Sequence, residues 1–215
     1  RMAAIEARVD LQDYRTAQLK NRVNPEDRVR LAHATADIAQ WNLRVSNKSA
    51  VTPEYIVNET KRLAQRAPVH FVIVDHMQLM GADKGIRGDY EKFTAISRAM
   101  KQTAVEMNVP LLVVSQTSRS NSREHRGELE VSDLRGSGAI EEDAAGCFLL
   151  FEDHEDAQNA LAVDSGQRYL RGPVKTFLKI GKNRYGMQRA YLPLWHQKTL
   201  TRFDMVESDS PMEAS

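Results

Sequence analysis

The sequence predicts an α/β fold built on a mostly parallel sheet with helices packed on its faces. Three observations carry that prediction. Short, nearly continuous apolar runs occur at residues 69–74, 111–114 and 147–151, as expected of strands buried on both faces. Segments with helical apolar spacing separate the runs or precede them. Proline and glycine are sparse, 7 and 11 in 215 residues, and punctuate these segments without forming a repeat.

The elements follow in chain order. Asp10 is placed to cap a first helix, and Asn24-Pro25 starts a second, with Asn as cap and Pro in the first turn. Val29, Ala32, Ala36 and Ala39 then share helical spacing. Leu43-Arg44-Val45 is a short strand candidate. Thr52-Pro53 opens the next helix, with Ile56, Thr60, Leu63 and Ala64 on one face. The run at 69–74 ends at Asp75, and a polar glycine-containing loop follows to Gly88. Phe93, Ile96, Met100, Thr103 and Met107 mark a long amphipathic helix that stops near Asn108 and Pro110. The second buried strand ends at Ser115-Gln116. Residues 117–130 form a polar loop, 147–151 a third strand and 153–173 a surface excursion. Residues 174–180 and 190–195 form a terminal strand pair.

Composition limits the classes of function. The chain has 30 Lys and Arg against 29 Asp and Glu, a formal charge of +1. Any contact with nucleic acid must therefore come from placed charges rather than a basic surface. With 41% hydrophobic and 27% charged residues, the composition is ordinary for a globular chain. No apolar run reaches the roughly 18 residues of a membrane span. The first ten residues lack the apolar core of a secretion signal. A single cysteine, Cys147, excludes an intramolecular disulfide and fits a reducing compartment. The 6 histidines show no pairing at i,i+3 or i,i+4, so no zinc site is expected.

Open α/β sheets bind ligands beyond the carboxyl ends of their strands. Asp75, Ser115-Gln116 and Glu152-Asp153 occupy those positions. A carboxylate at a rigid strand tip suits a Mg²⁺ ion bridging phosphate oxygens. Taken alone, such an Asp more often caps a turn. Its neighbours make the signal specific. Asp75-His76-Met77-Gln78-Leu79-Met80, after an apolar strand, resembles the Walker B region of DnaB-type replicative DNA helicases, with His76 where that family carries Tyr. Further stretches resemble the family in the same order. Arg8-Val9-Asp10 and Arg15-Thr16-Ala17-Gln18-Leu19 match an early helical segment. Ser115-Gln116-Thr117-Ser118-Arg119 matches the sensor motif. Residues 132–144, beginning Ser132-Asp133-Leu134-Arg135-Gly136-Ser137-Gly138, match the DNA-binding motif. Lys179-Ile180-Gly181-Lys182-Asn183-Arg184-Tyr185-Gly186 matches the arginine-finger strand.

The resemblance implies a RecA-like motor domain over residues 1–204, with 205–215 as a disordered tail. Such motors form homo-hexameric rings. ATP binds between subunits, and single-stranded DNA runs through the centre in the 5′→3′ direction. By that resemblance Asp75 positions Mg²⁺ through water, and Gln116 senses the γ-phosphate. Lys182 and Arg184 reach in trans into the neighbouring site, while Arg1 lies near the phosphates. Arg135, Gly136, Ser137 and Gly138 contact DNA, with Arg119, Arg123 and Arg126 on the preceding loop as further candidates. Gly136 stands where the family carries Glu, and Ala139 where Ser is common. The implied partners are a primase and a helicase loader, and the implied location is the cytoplasm of a bacterium or of a phage-infected cell, with no membrane.

No G-x-x-x-x-G-K-[ST] sequence occurs in the 215 residues. The expectation is that the phosphate loop and the catalytic Glu lie upstream in a longer polypeptide, and that this portion is inactive alone. Two other readings share part of the pattern. One is another RecA-like ATPase, such as a recombinase or a clock-type ATPase, which Gln78-Leu79-Met80 and Asp133-Leu134-Arg135 disfavour. The other is a non-catalytic DNA-binding or ring-assembly module. The missing phosphate loop favours it, and the retained Asp75, Gln116, Lys182 and Arg184 disfavour it.

Overall fold

The computed structural model describes residues 1–20, 23–81, 88–117, 128–134, 136–153, 173–206 and 212–213. The helices are α1 (Met2–Glu6), α2 (Leu11–Leu19), α3 (Pro25–Ala39), α4 (Pro53–Ala64), α5 (Asp89–Met107) and α6 (Ser137–Asp143). The strands are β1 (Val72–Val74), β2 (Leu111–Val113), β3 (Gly146–Glu152), β4 (Val174–Asn183), β5 (Ala190–Gln197), β6 (Arg202–Met205) and β7 (Met212–Glu213). Single 3₁₀ turns lie at Met77–Leu79 and Val131–Asp133. β1 and β2 form a parallel pair, while β3, β4, β5 and β6 follow one another in a second sheet in which β7 pairs with β5.

The chain divides into two compact units. One gathers Arg1–Val45, Leu150–Leu178 and Tyr191–Met212; the other gathers Ser46–Leu149, Lys179–Ala190 and Glu213–Ser215.

In the first unit the predicted caps hold. Asp10 Oδ1 accepts from the Asp13 amide at 3.0 Å, and Asn24 Oδ1 accepts from the Glu26 amide at 3.0 Å. The buried face of α3 differs from the one predicted. Ala34 is buried, and Leu31 packs on the small core of Ala7, Val9 and Ala34, while Val29, Ala32 and Ala36 are exposed. Alanine is weakly apolar, so its spacing ranks faces poorly. The larger Leu31 sets the face of α3 that packs on this core, and α1 lies against α3. Leu43-Arg44-Val45 is not a strand, and both apolar residues are exposed. Among the described residues no neighbouring strand pairs with this stretch, and β propensity alone does not make a strand. In the same unit Phe151, Phe177 and Tyr191 pack as an aromatic cluster, with centroids 5.8 to 6.5 Å apart. β5 and β6 pair antiparallel, with Trp195 opposite Asp204, which departs from the parallel expectation. Only four residues, 198–201, join these strands, too few for the crossover a parallel pair needs.

The second unit holds the larger core. Ile56 of α4, Val74 of β1, Met77 and Met80, and Phe93, Ile96 and Met100 of α5 form one cluster. The predicted apolar stripe of α5 is buried from Phe93 to Thr103, and the helix ends at Asn108, which takes a left-handed conformation with φ 49°. Thr52 Oγ1 caps α4 by accepting from the Tyr55 amide at 3.3 Å. The predicted strands at 69–74 and 111–114 shorten to Val72–Val74 and Leu111–Val113, in register Val72 to Leu111. They are buried on one face only. Val74 faces the core, whereas Phe71, Ile73, Leu112 and Val114 are exposed by 40 to 60%.

A second cluster joins Val131, Cys147 and Leu149, with Ile140 of α6 touching both clusters. Burial pushes the Cys147 thiol above its ordinary range; nearby Lys182 opposes that shift and Glu141 adds to it. The thiolate is the reactive form. Cys147 should therefore react with a disulfide reagent on the order of a hundredfold slower in the native protein than in denaturant. Equal rates in the two conditions would show that the cluster is open.

Of the sequence-based expectations on loops, 82–87, 118–127 and 154–172 lie outside the described residues, as do 207–211 and 214–215 of the tail. Within that tail, Met205 ends β6 and Met212–Glu213 pairs with β5. Among the described residues no helix is long and apolar enough to cross a membrane.

Candidate functional site

The parallel β1–β2 pair sets the geometry. Parallel strands in register present their carboxyl ends at one edge. Asp75 therefore leaves β1 beside Val114, and Ser115-Gln116 leaves β2 at the same edge. The Val114 amide donates to the Val74 carbonyl at 2.9 Å, and the Met77 amide donates to the Val114 carbonyl at 2.9 Å, so the two strand ends are tied past their last ladder residues. The Asp75–His76 peptide is cis. The Asp75 side chain is 76% exposed, with its Oδ1 3.7 Å from His76 Nδ1. An accessible carboxylate on a rigid strand end is the donor set a Mg²⁺ ion held through water requires, and it leaves most of the ion's ligands to water and phosphate.

Gln78 has a role here that the sequence reading left inside the motif. Its Nε2 donates to Ser115 Oγ at 3.0 Å and to the Gln116 carbonyl at 3.4 Å, while its Oε1 accepts from the Gln116 amide at 3.1 Å. One side-chain amide thus satisfies both backbone groups of Gln116, which fixes that backbone while the residue itself stays exposed. The next residue, Thr117, forms an antiparallel bridge to Leu134. Leu134 follows the buried turn Val131–Asp133, in which Asp133 Oδ2 accepts from the Glu130 amide at 2.8 Å. The strand end carrying Gln116 is thereby joined to the segment leading into residues 135–138.

Of that quartet, Arg135 lies outside the described residues, and Gly136, Ser137 and Gly138 open α6. Gly136 has φ +76°, and a Cβ added to it would stand 2.7 Å from Phe93 Cβ. Both facts favour glycine at this position. They give a physical reason why Glu, the residue of the resembled motif, does not stand here. Ser97 Oγ donates to the Ala139 carbonyl at 3.4 Å and ties α6 to α5.

The other end of α6 meets β4. Lys182 Nζ donates to the Glu141 carbonyl, Arg184 Nη2 donates to the Glu142 carbonyl, and the Arg184 amide donates to the Ala145 carbonyl at 2.9 Å. Cations at a helix C-terminus satisfy carbonyls that lack partners within the helix. Lys182 does so from within β4 and Arg184 from just past its end. Asp75, Gln116, 136–138, Lys182 and Arg184 all belong to the second unit, and Arg1 begins the first, ahead of α1.

Residues 1–205 match the DnaB-like helicase C terminal domain family. The chain belongs to that family. It is 31% identical over 181 residues to the replicative DNA helicase DnaB of Mycobacterium intracellulare, covering 82% of this chain and 31% of that protein. It is 28% identical over 183 residues to the replicative DNA helicase DnaB of Geobacillus stearothermophilus, covering 82% of this chain and 39% of that protein. The chain thus spans about a third of the length of the curated relatives it matches. Among solved structures, an isolated ATPase domain superposes with a TM-score of 0.80 at 24% identity, covering 96% of this chain and 69% of that one. A DnaB-like replicative helicase studied for its interactions with primase also gives a TM-score of 0.80 at 24% identity, covering 96% of this chain and 46% of that one. The DnaB-like ATPase fold is therefore shared.

Proposed function

We propose that this DnaB-like chain is the greater part of an ATP-driven DNA helicase motor that works as a homo-hexameric ring and moves 5′→3′ on single-stranded DNA. The observation that carries the reading is the Thr117–Leu134 bridge. It joins the strand end that presents Gln116 to the segment leading into the DNA-contacting residues 135–138. A change felt at the phosphate end has a backbone route of two residues to DNA.

In this reading Asp75 holds Mg²⁺ through water, and the ion neutralises phosphate charge when ATP is bound. Gln116 orients toward the γ-phosphate with its amide, while Gln78 keeps the backbone beneath it fixed. Lys182 and Arg184 lie on a strand end at the second unit's surface and serve the site of an adjacent subunit, where their charge stabilises the transferring phosphoryl group. Arg135 and the Gly136 to Gly138 backbone follow the DNA phosphates without reading bases. Arg1 is assigned near the phosphates. The phosphate-cradling loop is not among these 215 residues, so the reading requires it from another segment of the assembled motor. The exposed apolar face of β1 and β2 is where such a segment would pack. A primase and a helicase loader are the partners proposed, in bacterial or phage-infected cytoplasm. The absent loop also favours a second reading, a non-catalytic ring-assembly module.

The test uses the protein expressed from its complete reading frame. ATP turnover should rise with single-stranded DNA, and a forked duplex with a 5′ tail should be unwound while one with only a 3′ tail is not. DNA binding without any turnover would replace the motor with the module. Unwinding from the 3′ tail alone would reverse the assigned direction.

A further inference from the structure

Lys179 takes no part in the chemistry above. It is a cation inside β4, with its side chain 6% exposed. Its Nζ donates to Glu128 Oε1 at 2.9 Å, to Glu130 Oε1 at 2.5 Å and to the Leu129 carbonyl at 3.3 Å. The two carboxylates are half-exposed. Burial alone would push the ammonium down, but the hydrogen bonds it donates to Glu128 and Glu130 outweigh it and raise the group well above its usual range, so it remains charged at neutral pH. A buried ion pair is weak evidence for stability, because an apolar residue of similar volume often serves packing as well. The position therefore gains from the cation chiefly through what it holds.

What it holds is one short segment. On the same side of β4, two residues on, a Cβ added to Gly181 would stand 2.8 Å from Val131 Cγ2 and 3.0 Å from Leu149 Cδ1. The strand is bare where the turn Val131–Asp133 leans on it, and two residues earlier it grips Glu128 and Glu130 by charge. The approach to the DNA-contacting residues is thus fixed to β4 at two points. The same strand runs on to Lys182, and Arg184 follows its last residue; both hold the far end of α6.

We propose that Lys179 is a positioning residue that locks residues 128–134 onto the strand that runs through Lys182 toward Arg184, so that the DNA-contacting segment and the trans-acting cations move as one body. The inference rests on the roles given to those residues under Proposed function. The sequence carries its signal: a lysine inside an apolar strand, and two glutamates two residues apart ahead of the DNA motif.

The experiment compares Lys179→Met, Lys179→Arg and the double variant Glu128→Gln/Glu130→Gln in the protein expressed from its complete reading frame. The double variant reaches the clamp from its exposed end, where folding is not at stake. ATP turnover is measured with and without a saturating oligo-dT strand, and amide exchange is followed in parallel. Lys179→Met and the double variant should each lower DNA stimulation about fivefold or more, with unstimulated turnover unchanged, and Lys179→Arg should retain it. Exchange at the amides of Glu130, Asp133 and Leu134 should quicken by about tenfold as that segment comes free of β4, while the Arg184 amide and α5 are unaffected. Wild-type stimulation in both variants, or an equal fall in stimulated and unstimulated turnover, overturns the proposal. Unchanged exchange at 130–134 in both variants also overturns it, since Lys179 would then hold nothing in place. If the unaltered protein shows no turnover, the helicase reading fails on its own, and the exchange result alone decides whether the clamp exists.

Discussion

Arg184→Ala should lower DNA-stimulated ATP turnover by about three orders of magnitude and leave nucleotide binding intact. The guanidinium is assigned to charge that develops only as the phosphoryl group transfers, so its removal acts on the barrier rather than on the bound state. In this structure its Nη2 is held by the Glu142 carbonyl at the end of α6. Releasing that carbonyl to solvent has a small cost because the position is exposed. A loss of turnover beyond that cost therefore reports on chemistry rather than folding. Turnover and binding of a fluorescent nucleotide measure the two effects separately. Mixing Arg184→Ala subunits with Asp75→Ala subunits adds a check on action in trans. Some neighbouring pairs then combine an intact Asp75 with an intact Arg184, and activity should reappear from two inactive preparations. Failure of mixed rings to recover would place the finger in its own subunit's site.

Phe93→Ala should destabilise the second unit by about 3–5 kcal/mol. Thermal unfolding followed by circular dichroism should shift down by roughly 10 °C. Phe93 is 3% exposed and sits in the core with Val74, Met80 and Ile96, so truncation leaves a cavity that rigid neighbours close poorly. The ring also backs Gly136, where an added Cβ would lie 3.5 Å from Phe93 Cγ and 3.6 Å from Cδ2. Loss of the ring should thus loosen the start of α6 as well as the core. An unchanged melting curve would mean that the core does not depend on this contact.

The residues that make strong local choices were legible in the sequence. Asp10, Asn24 and Thr52 cap helices through backbone amides two or three residues away, so local chemistry decides them. The α5 stripe from Phe93 to Thr103 was legible because large side chains define one face. The face of α3 was not, because several alanines offered a false stripe and the deciding partner, α1, lies elsewhere in the sequence. The strand ends bearing Asp75 and Gln116 were legible from where their apolar runs stop. The amide brace from Gln78 and the Thr117–Leu134 bridge were not, since each depends on segments brought together only by folding. Apolar runs also implied burial on both faces of β1 and β2, and the structure buries one. A run records what a strand can cover, and not what is present to cover it.

That uncovered face governs how the chain behaves in a test tube. Ile73 of β1 stands beside Leu112 of β2, with Phe71 just before β1 and Val114 just after β2 also exposed, and among the described residues this sheet has two strands, so each presents an outer edge. Such a surface joins to others of its kind, and its losses rise with concentration. Preparations of the 215-residue chain should therefore be limited by self-association, and dilution is the lever that keeps it in solution.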